Sequence, residues 1–114
     1  EEYNRTSPDA PETLAQKIER MITIWRTEPK LTTDDLAKIQ CPVLVMAGDD
    51  DVIAHSHTIE LFENIPLGQL AVLPGTSHGF VKEKPGLAQL HIREFLEDMS
   101  YPVTRMPIRR KGIN

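Results

Sequence analysis

The sequence predicts an α/β fold: two parallel strands with flanking helices, preceded by a helical segment. Three stretches carry that expectation. "CPVLVMAG" holds an unbroken apolar run from Val43 to Ala47, opened by Pro42 and closed by Gly48. "LAVL", Leu70 to Leu73, is a second short apolar run, ended by Pro74 and Gly75. Between them, Ser56 to Ile65 has a helical period. Continuous apolarity suits parallel strands covered on both faces, and a strand–helix–strand unit lays its strands side by side in the same direction.

Taken in order, Asp9 to about Thr27 reads as an amphipathic helix, with Asp9 placed to cap it and Pro11 and Glu12 in its first turn. Leu14, Ile18, Met21, Ile22 and Trp25 form one apolar stripe, read as packing against the rest of the protein. Pro29 stops that helix, and a short one follows in "TTDDLAKI", capped by Thr32 or Thr33. After the first strand, Ile59, Leu61, Phe62 and Ile65 are the apolar positions of the crossover helix, which Pro66 and Gly68 break. A last helix runs from about Pro85 to Met99, with Ala88, Ile92, Phe95, Leu96 and Met99 facing inward. There is no third strand and no internal repeat. Two parallel strands alone make a poor sheet, so the sequence reads like the end of a larger one.

The chain has 114 residues, 39% hydrophobic and 26% charged, with a formal net charge of −4, an ordinary soluble composition. The last fourteen residues, "YPVTRMPIRRKGIN", carry Arg105, Arg109, Arg110 and Lys111 and no acid; elsewhere 9 basic residues stand against 17 acidic ones, a net −8. An acidic body argues against nucleic acid as a partner, and the basic end is read as a solvated tail. Cys41 is the single cysteine, so no internal disulfide forms and a cytoplasmic setting is expected. No apolar run approaches the roughly 18 residues of a membrane span, and no membrane partner is expected. The chain opens on Glu1 rather than Met and is expected to be a piece of a longer protein.

In an open parallel sheet, functional residues gather beyond the carboxyl ends of the strands. The first strand ends in "GDDD", Gly48 to Asp51, and the second in "PGTSHG", Pro74 to Gly79. The crossover returns the chain to the same sheet edge, so Asp51 and His78 are expected side by side across 27 positions of sequence. A carboxylate beside an imidazole holds one ring nitrogen as N–H and stabilises the imidazolium, leaving the other nitrogen free as a base. Asp51 is therefore assigned to orient the ring and His78 to act as general base, then general acid. Asp50 is the alternative acid.

The stretch "LAKIQCPVLVMAGDDDVIAHSHTIELFENIPLGQLAVLPGTSHGF" resembles the closing third of an α/β-hydrolase. Two motifs carry the resemblance: G-x-x-D at Gly48 to Asp51, and a Pro-Gly…His-Gly/Phe loop in "LPGTSHGF". The likeness runs from about Leu36 to Met99. It implies a partial α/β-hydrolase fold, with 1–31 a remnant of the helical cap, 32–100 the carboxyl-terminal portion of the core and 101–114 a basic tail. It also implies Asp51 and His78 as acid and base of a nucleophile–His–Asp triad, a small ester, thioester, lactone or similar acyl substrate, and no cofactor. His55 departs from the pattern, since relatives often have proline there.

Gly75 to Gly79 also satisfies G-x-S-x-G, the nucleophile turn of serine hydrolases. That turn runs directly from strand into helix, and the family's chain order is nucleophile, acid, histidine. Here Pro85 delays a regular helix by about five residues, and Ser77 would come last, beside its own base. Ser77 is read as a spacer. Ser7, Ser56 and Ser100 lie in no comparable turn, and Cys41 opens a strand instead of following one. The nucleophile is therefore expected outside this chain, as Ser, Asp or Cys; an Asp would point to dehalogenation or epoxide opening.

The remaining candidates receive plainer readings. Asp49 and Asp50 are taken as solvated or loop-structuring. His55 and His57 lie near Asp51 but lack a defined fourth ligand, so no metal is expected. His91 is read as a surface residue, and Met21 and Trp25 as packing rather than substrate contacts. "VLVMAGDDD" also resembles the acidic pocket of phosphoacceptor receiver modules, but those need five strands and a phosphorylatable Asp on a later strand. The second functional reading is a non-catalytic hydrolase-like domain with a structural or binding role. The expected partner is a small-molecule substrate, and the open sheet edge offers a route to self-association.

Overall fold

Residues 2–110 are described by a computed structural model, and the chain divides between Leu31 and Thr32 into two units. Lys111 of the basic tail lies outside the described residues. The first unit holds α1 (Glu2–Thr6), a 3-10 turn (Pro11–Thr13) and α2 (Leu14–Thr27). Asp9 does not cap α2: the residue before the helix is Thr13, which makes no side-chain cap bond. The Asp9 carboxylate pairs instead with the Lys17 ammonium, which also reaches the Tyr3 hydroxyl at 3.2 Å. A charge-assisted bond is the stronger claim on a carboxylate.

The apolar stripe of α2 finds no cover within its own unit. The stripe is amphipathic as read, yet α2 buries no residue; Ile18, Met21 and Ile22 are exposed, and Trp25 is 72% exposed. The only other α-helix among the described residues of this unit, α1, is five residues long, too short to cover a four-turn apolar face.

The second unit begins with α3 (Thr33–Ala37), capped by Thr32 in a reciprocal box. The Asp35 N–H donates to Thr32 Oγ1 at 3.2 Å, and the Thr32 N–H donates to Asp35 Oδ2 at 2.9 Å. Then come β1 (Val43–Gly48), α4 (His55–Asn64), β2 (Gly68–Leu73), α5 (Phe80–Glu83) and α6 (Pro85–Glu97). The strands pair in parallel from Val43↔Gly68 to Gly48↔Leu73, so β2 starts two residues earlier than its apolar run. The Val43 N–H donating to Leu67 C=O at 3.1 Å extends the pairing to the residue before it.

α4 packs on both strands, α3 packs on α4, and α6 packs on β2. The buried apolar residues are Leu36, Ala47, Ile65, Leu73 and Ala88. Burial deepens along β1, half-buried up to Met46 and buried at Ala47 and Gly48, whereas β2 is buried at its two ends, Gly68 and Leu73. The strands are thus not covered along their whole length as their apolarity suggested, and Val72 is exposed. Ala47, Gly48 and Leu73, at the strand ends beneath the loops, are all buried.

Three further expectations change. On α6 the covered stripe is Leu87, Ala88, His91 and Phe95, and Ile92, Leu96 and Met99 are exposed. β2 packs against this helix and covers a narrow stripe; His91, which was expected at the surface, is half-buried in it. Second, α5 forms immediately after Gly79, ahead of Pro85. Third, the tail is not wholly solvated. Arg109 Nη2 donates to the carbonyls of Phe62 at 2.9 Å and Glu63 at 3.1 Å, and its guanidinium lies 3.9 Å over the Phe62 ring. The last carbonyls of α4 lack intrahelical partners, and a cation at the negative end of the helix satisfies two of them. Among the described residues, no helix is long and apolar enough to cross a membrane.

Candidate functional site

The two strands end level, and the chain continues from each into a loop, 49–54 after β1 and 74–79 after β2. Backbone bonds stitch the loops together: the Asp49 N–H donates to Leu73 C=O at 3.1 Å and the Asp50 N–H to Thr76 C=O at 2.9 Å. Gly48 makes this approach possible. A Cβ there would stand 2.4 Å from the Ser77 carbonyl oxygen and 2.5 Å from that of Thr76, far inside contact distance.

Asp49 is the main side-chain tie between the loops. Its Oδ2 accepts the Gly75 N–H at 2.9 Å and its Oδ1 accepts the Thr76 N–H at 3.0 Å. Those two bonds, with the charge of Lys84 nearby, hold its carboxyl below the usual aspartate range. Thr76 is buried, and its hydroxyl donates to Leu73 C=O at 2.7 Å. Asp49 therefore does the structural work that the sequence had offered to Asp49 and Asp50 together. Asp50 contributes its backbone N–H, and its side chain is exposed and makes no hydrogen bond among the described residues.

Asp51 and His78 meet. The Asp51 side chain is only 3% exposed, and its Oδ1 lies 2.9 Å from His78 Nδ1. The same oxygen accepts the Ile53 N–H at 3.0 Å, and Oδ2 accepts the Gly48 N–H at 3.3 Å. The Ile53 N–H, then the His78 ring and the Gly48 N–H, hold the Asp51 carboxyl below its ordinary range. An ionised carboxylate can only accept, so the proton of this contact belongs to His78 Nδ1. Nε2 is then the nitrogen with a lone pair to offer, on a ring 67% exposed. The arrangement can take up a proton at Nε2 and return it, with the imidazolium stabilised by a fixed carboxylate.

The other candidates sit apart from this pair. Ser77 Oγ donates to Glu83 Oε1 at 2.5 Å, which commits its hydroxyl to a carboxylate and not to the imidazole. That is a firmer reason to read Ser77 as a spacer than the delayed helix, since α5 does follow the loop directly. His55 opens α4 with Nε2 3.4 Å from the Gly48 carbonyl oxygen, and His57 is exposed two residues further along the first turn. Among the described residues, no group of three or more His, Cys, Asp or Glu side chains is placed to hold a metal ion. Cys41 is exposed just before β1.

Neither of two hollows beside the strands encloses the pair. A groove of about 810 Å³ runs along β2 and α6, lined among others by Leu70, His91, Phe95 and Tyr101. A mostly apolar hollow of about 200 Å³ touches Asp49, His55, Thr58, Ile59, Leu70 and Val72. Sequence reasoning had no signal for Glu83, which takes part in the histidine loop from six residues downstream of Ser77. Set against known protein families and against curated proteins, the sequence matches none.

Proposed function

We propose that this chain is the carboxyl-terminal part of an α/β-hydrolase that cleaves a small ester, thioester or related acyl substrate, with Asp51 and His78 as acid and base of its triad. The observation that carries the reading is the 2.9 Å contact from His78 Nδ1 to Asp51 Oδ1, made between loops at the carboxyl ends of adjacent parallel strands. Residues brought together from such distant positions by the sheet itself, with the base left open on one nitrogen, suit proton transfer better than loop structure alone.

In this reading a nucleophile from outside the chain loses its proton to His78 Nε2 as it attacks the substrate carbonyl carbon. The imidazolium, paired with Asp51, passes that proton to the departing alcohol or thiol. Water then repeats the sequence on the acyl-enzyme, giving the acid and restoring the nucleophile. The open setting of His78 suits a site whose remaining walls, including oxyanion donors, come from other parts of the protein. The segment up to Leu31 would belong to the lid. A cytoplasmic setting suits the single cysteine.

The test is turnover of activated esters. In the full-length protein, His78→Ala should abolish it and Asp51→Asn should lower it by about 10⁴-fold, the scale for loss of a triad carboxylate. A loss confined to Asp50→Asn would move the acid role to Asp50. The 114-residue chain alone should hydrolyse such esters no faster than free imidazole. Saturable turnover abolished by Ser77→Ala would instead make Ser77 the nucleophile. Undiminished turnover in His78→Ala would leave the domain a non-catalytic role.

A further inference from the structure

We infer that Glu83 is a positioning residue for His78, the second of two carboxylates that shape the histidine loop. The inference rests on the reading of His78 as the base. Asp49, reaching across from the β1 loop, takes the N–H groups of Gly75 and Thr76. Glu83, reaching back from α5, takes the next one: its Oε1 and Oε2 lie 3.1 and 3.3 Å from the Ser77 nitrogen. Its Oε1 also accepts the Ser77 hydroxyl at 2.5 Å. Ser77 Oγ in turn accepts the Gly79 N–H at 3.2 Å.

The N–H groups of Gly75, Thr76, Ser77 and Gly79 are thus all held by side chains, and the residue between the last two is His78. Its backbone is clamped from both sides, and its ring is aimed at Asp51. Gly79 leaves room for the clamp, since a Cβ there would stand 3.2 Å from Glu83 Oε1. Ser77 acquires a role in the same device. It relays the grip of Glu83 to Gly79, and its hydroxyl serves as a structural bond.

Because one oxygen of Glu83 does most of this, an amide oxygen at the same position should replace it, and a methyl group should not. The experiment uses the 114-residue chain and reads two signals that need no turnover. Ring ¹⁵N shifts report which nitrogen of neutral His78 carries the proton, and amide hydrogen exchange reports the Ser77 N–H. The parent chain should show the Nδ1–H form and a protected Ser77 amide. Glu83→Ala should speed exchange at Ser77 by at least about ten-fold, the scale of one bond to a charged acceptor. It should also release the ring to a mixture of tautomers. Glu83→Gln should restore both signals.

An unchanged tautomer in Glu83→Ala would overturn the inference, as would a Glu83→Gln chain that behaves like Glu83→Ala. Should Glu83→Ala not fold, an altered tautomer and faster Ser77 exchange in Glu83→Asp, whose carboxylate falls one methylene short, would support the clamp, and native signals there would overturn it. The hydrolase reading fails separately: if the clamp signals respond as described while full-length His78→Ala keeps its esterase activity, Glu83 positions His78 for something other than acyl transfer.

Discussion

Replacing Gly48 with alanine tests whether close approach of the two loops is what sets the acid–base pair. The new Cβ would lie 2.4 Å from the Ser77 carbonyl oxygen, whereas carbon and oxygen in contact rest about 3.3 Å apart. The histidine loop must therefore retreat by nearly 1 Å. Movement of that size along the 2.9 Å contact between His78 and Asp51 would open it to about 3.9 Å, past hydrogen-bond range. Two effects compete in stability. Gly48 has no positive φ, so alanine would gain about 0.4–1 kcal/mol by restricting the unfolded chain. Overpacking costs about 1–3 kcal/mol, and the atoms met are backbone carbonyls already tied by hydrogen bonds, so the cost wins. Urea unfolding should show net destabilisation, and ring ¹⁵N shifts should show His78 freed from its Nδ1–H form. A variant as stable as the parent, with the tautomer intact, would mean that the close approach at Gly48 does not set the pair.

Other expectations follow from the same geometry. The carboxyls of Asp49 and Asp51 are held below the ordinary value of 3.8, so the unfolded chain takes up their protons more readily than the folded one. Their stabilisation should be complete above the ordinary aspartate range and lost as pH falls through the lower folded values; melting curves between about pH 5 and pH 2 should show this, and Asp49→Asn should flatten the profile. Leu73→Ala removes a fully buried side chain beneath the loops and should cost about 2–5 kcal/mol in denaturant unfolding.

Both strands were legible because unbroken apolar runs lay between Pro42 and Gly48 and before Pro74. The juxtaposition of Asp51 and His78 followed from parallel topology, which delivers consecutive strand ends to one rim. What escaped has physical causes. Gly68 reads as a breaker, but pairing with Val43 is a property of the partner strand and leaves no mark on the glycine. α5 is a single turn, too short for periodicity to appear, and the nearby Pro85 signals a stop. The inward face assigned to α6 assumed a broad surface against it, and one strand covers less. Arg109 reads as a tail charge because nothing local tells it that the end of α4 is near. Asp49 was half legible as a loop residue, and Glu83 was not, because its role depends on how the loop curls.

The shape of 75–79 rests on two side-chain carboxylates and a threonine, with little of the ladder bonding that fastens β1 to β2. Backbone held this way opens at lower free energy than the strands beside it. Mild denaturant should therefore part the imidazole from its counterion while circular dichroism still reports native strands and helices. The pairing of Asp51 with His78 would be lost by local breathing, well before the scaffold that carries it melts.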